Sequence, residues 1–248
     1  MEVHHHSHPP GPGLHQGKKK WTHYFWEFLM LFLAVFCGFL AENQREHMIE
    51  HKRAKQFALS LLSDVRSDTA ALNTAIDFGN KKVKAADDLV AQLEQPVEKW
   101  KDTLIYDYGG ATGRYRPFQH NSGTYEQIKA SGSLRYFKQD LADLLNKYDV
   151  QSKKTAVREE ILLNYASNIF NPFIMHIIDI RSAIQLQDGL TVTHPLVFRK
   201  TDKETIALWI NYATVVQSTQ QRTIVEYQLM LQQAKQIIFE LQEKYHLK

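Results

Sequence analysis

His47, Glu50 and His51 match H-x-x-E-H, the inverted zinc-peptidase pattern. On a helix, histidines at i and i+4 share a face and can hold Zn²⁺, with the carboxylate beside them as general base. A catalytic metal also needs a third ligand and a walled cleft. Residues 42–56, ENQREHMIEHKRAKQ, indicate neither, so His47 and His51 are weak metal candidates and a solvated His/Glu face is the expected reading. A zinc metallopeptidase stays as a remote alternative. His4, His5, His6, His8 and His15 can bind a metal loosely, but HHHSHPPGPG reads as part of a flexible polar tail. No Ser/His/Asp or Cys/His arrangement stands out, and no paired carboxylates sit in a pocket-like sequence. We expect no catalytic residues and no cofactor.

Glu27 lies inside the apolar run at residues 21–41, WTHYFWEFLMLFLAVFCGFLA. A carboxylate in hydrocarbon costs up to about 3 kcal/mol near the bilayer centre and less toward its edge, so it takes a partner or a path to water. Local pairing with His23, four residues back, is one solution. A polar contact with another transmembrane helix is the other. At ~100° per residue, Glu27, Leu31, Ala34, Gly38 and Ala41 fall on one side, and Phe25, Phe28, Phe32, Phe36 and Phe39 on the other. Large rings suit lipid, and small residues let a second backbone come close. The Glu27 face is therefore the candidate contact surface.

A third group sits in residues 106–122, YDYGGATGRYRPFQHNS, which reads as a loop rich in glycine and aromatics. It lacks G-x-x-x-x-G-K-[ST] and is no phosphate loop. Tyr106, Tyr108, Tyr115 and Phe118 with Arg114 and Arg116 make a candidate recognition loop. The alternative is that the rings cap the end of a helical bundle.

The elements that position these groups begin with the run itself. Its 21 residues reach ~31 Å as a helix, enough for a bilayer core of ~30 Å. A signal-peptide cut after Ala41 would leave Phe39 where a small residue is wanted, so an uncleaved anchor is expected. Lys18, Lys19 and Lys20 beside the span, with Trp21, Tyr24 and Trp26 as interfacial aromatics, favour a cytoplasmic N-terminus. Arg45, Lys52, Arg53 and Lys55 on the other flank weigh against it. The 248-residue chain carries a net charge of +3, of which the three lysines against Glu2 supply +2. The rest is nearly neutral and offers no basic field for nucleic acid. Cys37, the one cysteine, lies in the span.

Beyond the span, an unbroken 4,3 spacing runs through positions 58, 62, 65, 69, 72, 76, 79, 83, 86, 90, 93 and 97, mostly apolar, as in the seam of a bundle or coiled coil. Residues 42–57 precede it as a polar, solvated helical stalk. Pro96 changes the character of the chain. Thr124 and Gln127 suggest a capping box for a short helix that Ser131–Gly132 breaks. Leu134, Phe137, Leu141, Leu144, Leu145 and Tyr148 form the next apolar stripe. A helix from Ser152 to about Leu186 would present Val157, Ile161, Tyr165, Ile169, Phe173, Ile177, Ile180 and Ile184, with a kink at Pro172. Residues 190–199 read as extended. The last helix, capped by Thr201 with Glu204, runs to about Tyr245. Its seam is Ile206, Trp209, Ala213, Val216, Gln220, Thr223, Tyr227, Met230, Ala234, Ile237 and Leu241.

Residues 18–44, KKKWTHYFWEFLMLFLAVFCGFLAENQ, after a His-rich tail, resemble the N-terminus of a family of uncharacterised single-span membrane proteins of Bacteroidota. Residues 125–148, YEQIKASGSLRYFKQDLADLLNKY, are similar to a segment that follows the long helix in such proteins. The resemblance implies an inner-membrane anchor with a periplasmic helical domain, and it carries no activity or site residues.

The expected fold is all-α, with one N-terminal transmembrane helix continuing into an elongated extramembrane helical bundle. The expected domains are a cytoplasmic tail (1–20), the span (21–41), the stalk (42–57) and a periplasmic bundle (58–248). The expected role is a non-enzymatic scaffold or interaction subunit, with membrane lipid and a membrane protein or a second copy as partners. A ligand-sensing bundle that signals to a membrane partner is the alternative.

Overall fold

The structure is a computed structural model describing residues 21–247, the Gln187 side chain excepted. The His-rich tail lies outside these residues. The chain folds as α1 (Trp21–Leu93), α2 (Asp102–Gly113), α3 (Gly123–Ala130), α4 (Gln139–Tyr165), α5 (Asn171–Ile177), α6 (Ile180–Gln187) and α7 (Lys203–Tyr245). Short 3-10 turns occupy Val97–Lys99 and Ser133–Tyr136, and a π turn occupies Ala166–Phe170. Among the described residues the only β pairing is a bridge between Ile178 and Phe198. The all-α expectation is met.

The chain divides into two units after His51. In the first, an 18-residue window has a mean hydropathy of 2.0 and none of it is buried within the protein. Among the described residues this is the one helix long and apolar enough to cross a membrane. Phe28, Phe32 and Phe36 stack in series, with ring centroids 6.3 and 5.8 Å apart.

The second unit, residues 52–247, holds the core. Part of the α1 seam falls where the spacing places it: Ala58, Leu62, Val65, Leu72, Gly79, Ala86 and Leu93 are buried. The companion row is displaced by one residue, onto Leu61, Asp68, Ala75, Lys82 and Leu89. Together with Ala54, the inward positions 54, 58, 61, 65, 68, 72, 75, 79, 82, 86, 89 and 93 again alternate 4 and 3. The seam thus starts at Ala54, inside the expected stalk. Helix α7 buries nearly the whole expected set, from Trp209 to Leu241. Asp202, not Thr201, caps it, accepting the Thr205 N–H at 3.0 Å.

Helix α4 departs most from expectation. It runs through Ser152 without a break and ends at Tyr165, and Val157 and Ile161 on it, with Ile180 and Ile184 on α6, all expected inside, are 58, 48, 39 and 51 % exposed. Ser152, Thr155 and Glu159 are buried instead. The hydroxyls go inside at little cost because Ser152 Oγ and Thr155 Oγ1 donate to carbonyls of their own helix, at Asp149 and Gln151. Pro172, where a kink is expected, directly follows a π turn and Asn171. It cannot donate to a carbonyl four residues back, and the turn before it widens so that the Asn171 N–H reaches the Ala166 carbonyl. After α3, Gly132 takes φ +66°, a left-handed value that glycine adopts freely.

The core is not continuous. One apolar cluster takes α1 residues up to Ala75, α4 residues up to Tyr148 and α7 residues from Tyr227 onward. The other takes α1 from Leu89, α4 at Leu162 and α7 up to Val216. Between them each long helix buries polar groups: Lys82 on α1, Ser152, Thr155 and Glu159 on α4, Gln220 and Thr223 on α7.

Candidate functional site

Residues 106–113, read from sequence as the start of a loop, are helical, and α2 ends at Gly113. The irregular segment begins at Arg114 and runs to Ser122. Two buried carboxylates hold it. Glu159 on α4 accepts the Phe118 backbone N–H at 2.8 Å and the Tyr227 hydroxyl. Asp68 on α1 accepts the Asn121 N–H at 2.9 Å, the Asn121 side-chain amide at 2.8 Å and the Tyr148 hydroxyl at 2.9 Å. His120 Nδ1 lies 2.6 Å from Asp68 Oδ2, the oxygen that also accepts the Tyr148 hydroxyl.

The two acids sit differently. Burial alone would raise the Asp68 carboxyl, but the bonds from His120, Asn121 and Tyr148 outweigh it and hold the group below its ordinary range. For Glu159 burial wins over the bonds from Tyr227 and Phe118, and its pKa is raised. Burial also raises Tyr148, Tyr227 and Tyr115, the last to about 12.

An imidazole held by a buried carboxylate is half of a general-base arrangement. The space beside His120, lined by Asp64, Tyr125 and Tyr148 among others, is about 10 Å³. The bonds from the Phe118 and Asn121 N–H groups make the two acids anchors for the segment. A second anchor is Tyr106, fully buried, whose hydroxyl donates to the Val197 carbonyl at 2.7 Å and accepts the Val197 and Asp179 N–H groups at 2.9 and 3.0 Å.

No family model, curated protein or solved structure matches the chain.

The six recognition-loop residues separate by environment. Tyr106 and Phe118 are buried, Tyr108 and Tyr115 are half-buried, and Arg114 and Arg116 are exposed. Arg116 borders an open cleft of about 370 Å³ between the segment and the Ser67, Ala71 and Thr74 face of α1.

In the first unit, Glu27, Leu31, Ala34, Gly38 and Ala41 are all exposed, and beyond its chain neighbours and its own helix backbone no heavy atom lies within 4 Å of where a Gly38 Cβ would stand. His23 Nε2 is 3.1 Å from Glu27 Oε1, so the local pairing is made. His47 and His51 are exposed on α1, with His47 Nδ1 4.0 Å from Glu50 Oε2. Among the described residues no group of three His, Cys, Asp or Glu side chains is placed to hold a metal.

Sequence reasoning missed Asp68, Lys82, His120, Tyr148 and Glu159. The signal for two of them was present, since Asp68 and Lys82 occupy a heptad row with Leu61, Ala75 and Leu89. Lys82 is 2 % exposed, its amine has no hydrogen-bond partner, and burial lowers its pKa to about 8.

Proposed function

We propose that this chain is a single-pass membrane protein whose helical bundle stands outside the bilayer as a non-enzymatic scaffold or interaction subunit. The observation that carries the reading is the apolar window of α1, none of which is buried within the protein. Each large apolar side chain taken out of water contributes roughly 1.5–3 kcal/mol, so a bilayer is the natural place for Phe25, Phe28, Phe32, Phe36 and Phe39. The lysines at positions 18–20 and the resemblance of residues 18–44 to single-span membrane proteins of Bacteroidota, which implies an inner-membrane anchor, support an N-terminus in the cytoplasm and a bundle in the periplasm. The face from Glu27 to Ala41 is the surface on which a second transmembrane helix, from a membrane protein or another copy, would dock.

Fractionation of native membranes tests the anchor. The chain is expected to stay with the membrane pellet after alkaline carbonate, and a variant lacking residues 21–41 to be soluble. Reporter fusions at the C-terminus test orientation: alkaline phosphatase active and green fluorescent protein dark is the expected pattern. A carbonate-extractable full chain overturns the anchor, and the reverse fusion pattern overturns the orientation.

A further inference from the structure

A cleft of about 180 Å³ opens between α2 and the α5–α6 region. Its buried wall includes Ile174, Ile178 and Ala183, while Met175, Ile180 and Arg114 are exposed at its edge. Three glycines of α2, at 109, 110 and 113, line it. Glycine disfavours a helix interior, so each calls for a reason. Gly113 has a steric one, because a Cβ there would stand 2.1 Å from Asn171 Oδ1. Gly109 has none. Its φ is not positive, and a Cβ would meet only the Trp209 ring, at an ordinary 3.6 Å. Alanine fits there, its contact falling on Trp209, which is not among the residues that line the cleft.

The opposite wall also departs from regular structure. The π turn Ala166–Phe170 delivers Asn171, whose amide donates to the Gly113 carbonyl at 3.2 Å. Such turns interrupt regular helix bonding and recur at functional sites. An apolar cavity of ~150 Å³ is known to take benzene, so this cleft suits an apolar body of about six to eight heavy atoms. At its edge Arg114 offers a planar fork matched to a carboxylate.

We propose that the α2/α5–α6 cleft is a binding site for a small apolar monocarboxylate, with the ring or branched chain against Ile174 and Ile178 and the carboxylate on Arg114. The site is independent of membrane anchoring and adds a ligand to the scaffold role.

The test is titration of the full chain in detergent micelles with benzoate and, as its uncharged counterpart, benzamide, followed by the isoleucine methyl signals. Benzoate is expected to shift Ile174, Ile178 and Ile180 with a Kd on the order of 1 mM, and benzamide to bind about tenfold more weakly. Arg114→Gln, an exposed change, is expected to bring benzoate down to benzamide. Absence of benzoate shifts at these methyls up to about 20 mM overturns the proposal. So does an unchanged benzoate affinity in Arg114→Gln.

Discussion

Asp68 and Glu159 hold one segment at two points three residues apart, Glu159 through the Phe118 N–H and Asp68 through the Asn121 N–H. The two acids come from different helices, and their environments push their protonation in opposite directions. Asp68→Asn removes a charged acceptor that bonds four groups on three residues and is expected to cost about 2–4 kcal/mol at pH 7. Glu159→Gln keeps an acceptor oxygen for Phe118 and Tyr227 and removes a disfavoured buried charge, so it is expected to be neutral or mildly stabilising. Urea unfolding of both variants checks the contrast; an equal loss in the two would contradict it.

The same pair sets the acid response. Asp68, with its folded pKa depressed, contributes stability that is present above the unfolded value of ~3.9 and lost as pH falls through the lower folded value. Glu159, with its folded pKa raised, acts the other way: its charge penalty grows as pH rises from ~4.3 through the folded value. Glu159→Gln is therefore expected to gain stability over wild type as pH rises from 4 to 7. Denaturation midpoints measured across that range decide it.

Lys82 is buried without a partner, and its pKa of about 8 lies below the ordinary 10.5. The folded state thus binds a proton less readily than the unfolded chain, and stability rises with pH between about 8 and 10.5. Below that window the penalty is about 3 kcal/mol. Lys82→Met is expected to recover much of it at pH 7 and to flatten the alkaline rise. A Met variant less stable than wild type at pH 7 would show that the amine has a role the apolar isostere cannot fill.

Removing the Tyr106 hydroxyl strips one carbonyl and two N–H groups of their partner. Tyr106→Phe is expected to cost about 2–3 kcal/mol and to speed amide exchange at Asp179 and Val197, while amides of the Asp68 cluster keep their protection. Uniform loss of protection across both regions would count against a local anchor.

Gly38→Ile and Glu27→Leu are each expected to weaken membrane-embedded association, the first by closing the approach to the helix and the second by removing a polar contact. Cross-linking or co-purification from native membranes reads the effect. Undiminished yields in both variants would sink the docking face.

Much of the helical order is local and was legible in the chain. The α7 seam from Trp209 to Leu241 follows from apolar periodicity, since a row of apolar side chains at 4,3 spacing has one way to be buried. The apolar window of α1 needs only length and composition. The α1 companion row was ambiguous because Ile76, Val83 and Val90 flank the true inward line closely enough to imitate it. At Asp68 the inward row is supported by the segment 114–122, which brings His120 and Asn121 to the carboxylate, where they meet Tyr148. The same segment decided the inward face of α4, because its Phe118 N–H gives Glu159 a buried partner. Periodicity counts apolar residues and ranks a carboxylate as outward. Tertiary structure reverses that ranking where donors distant in sequence converge, since a fully bonded carboxylate can be buried and an unbonded one cannot.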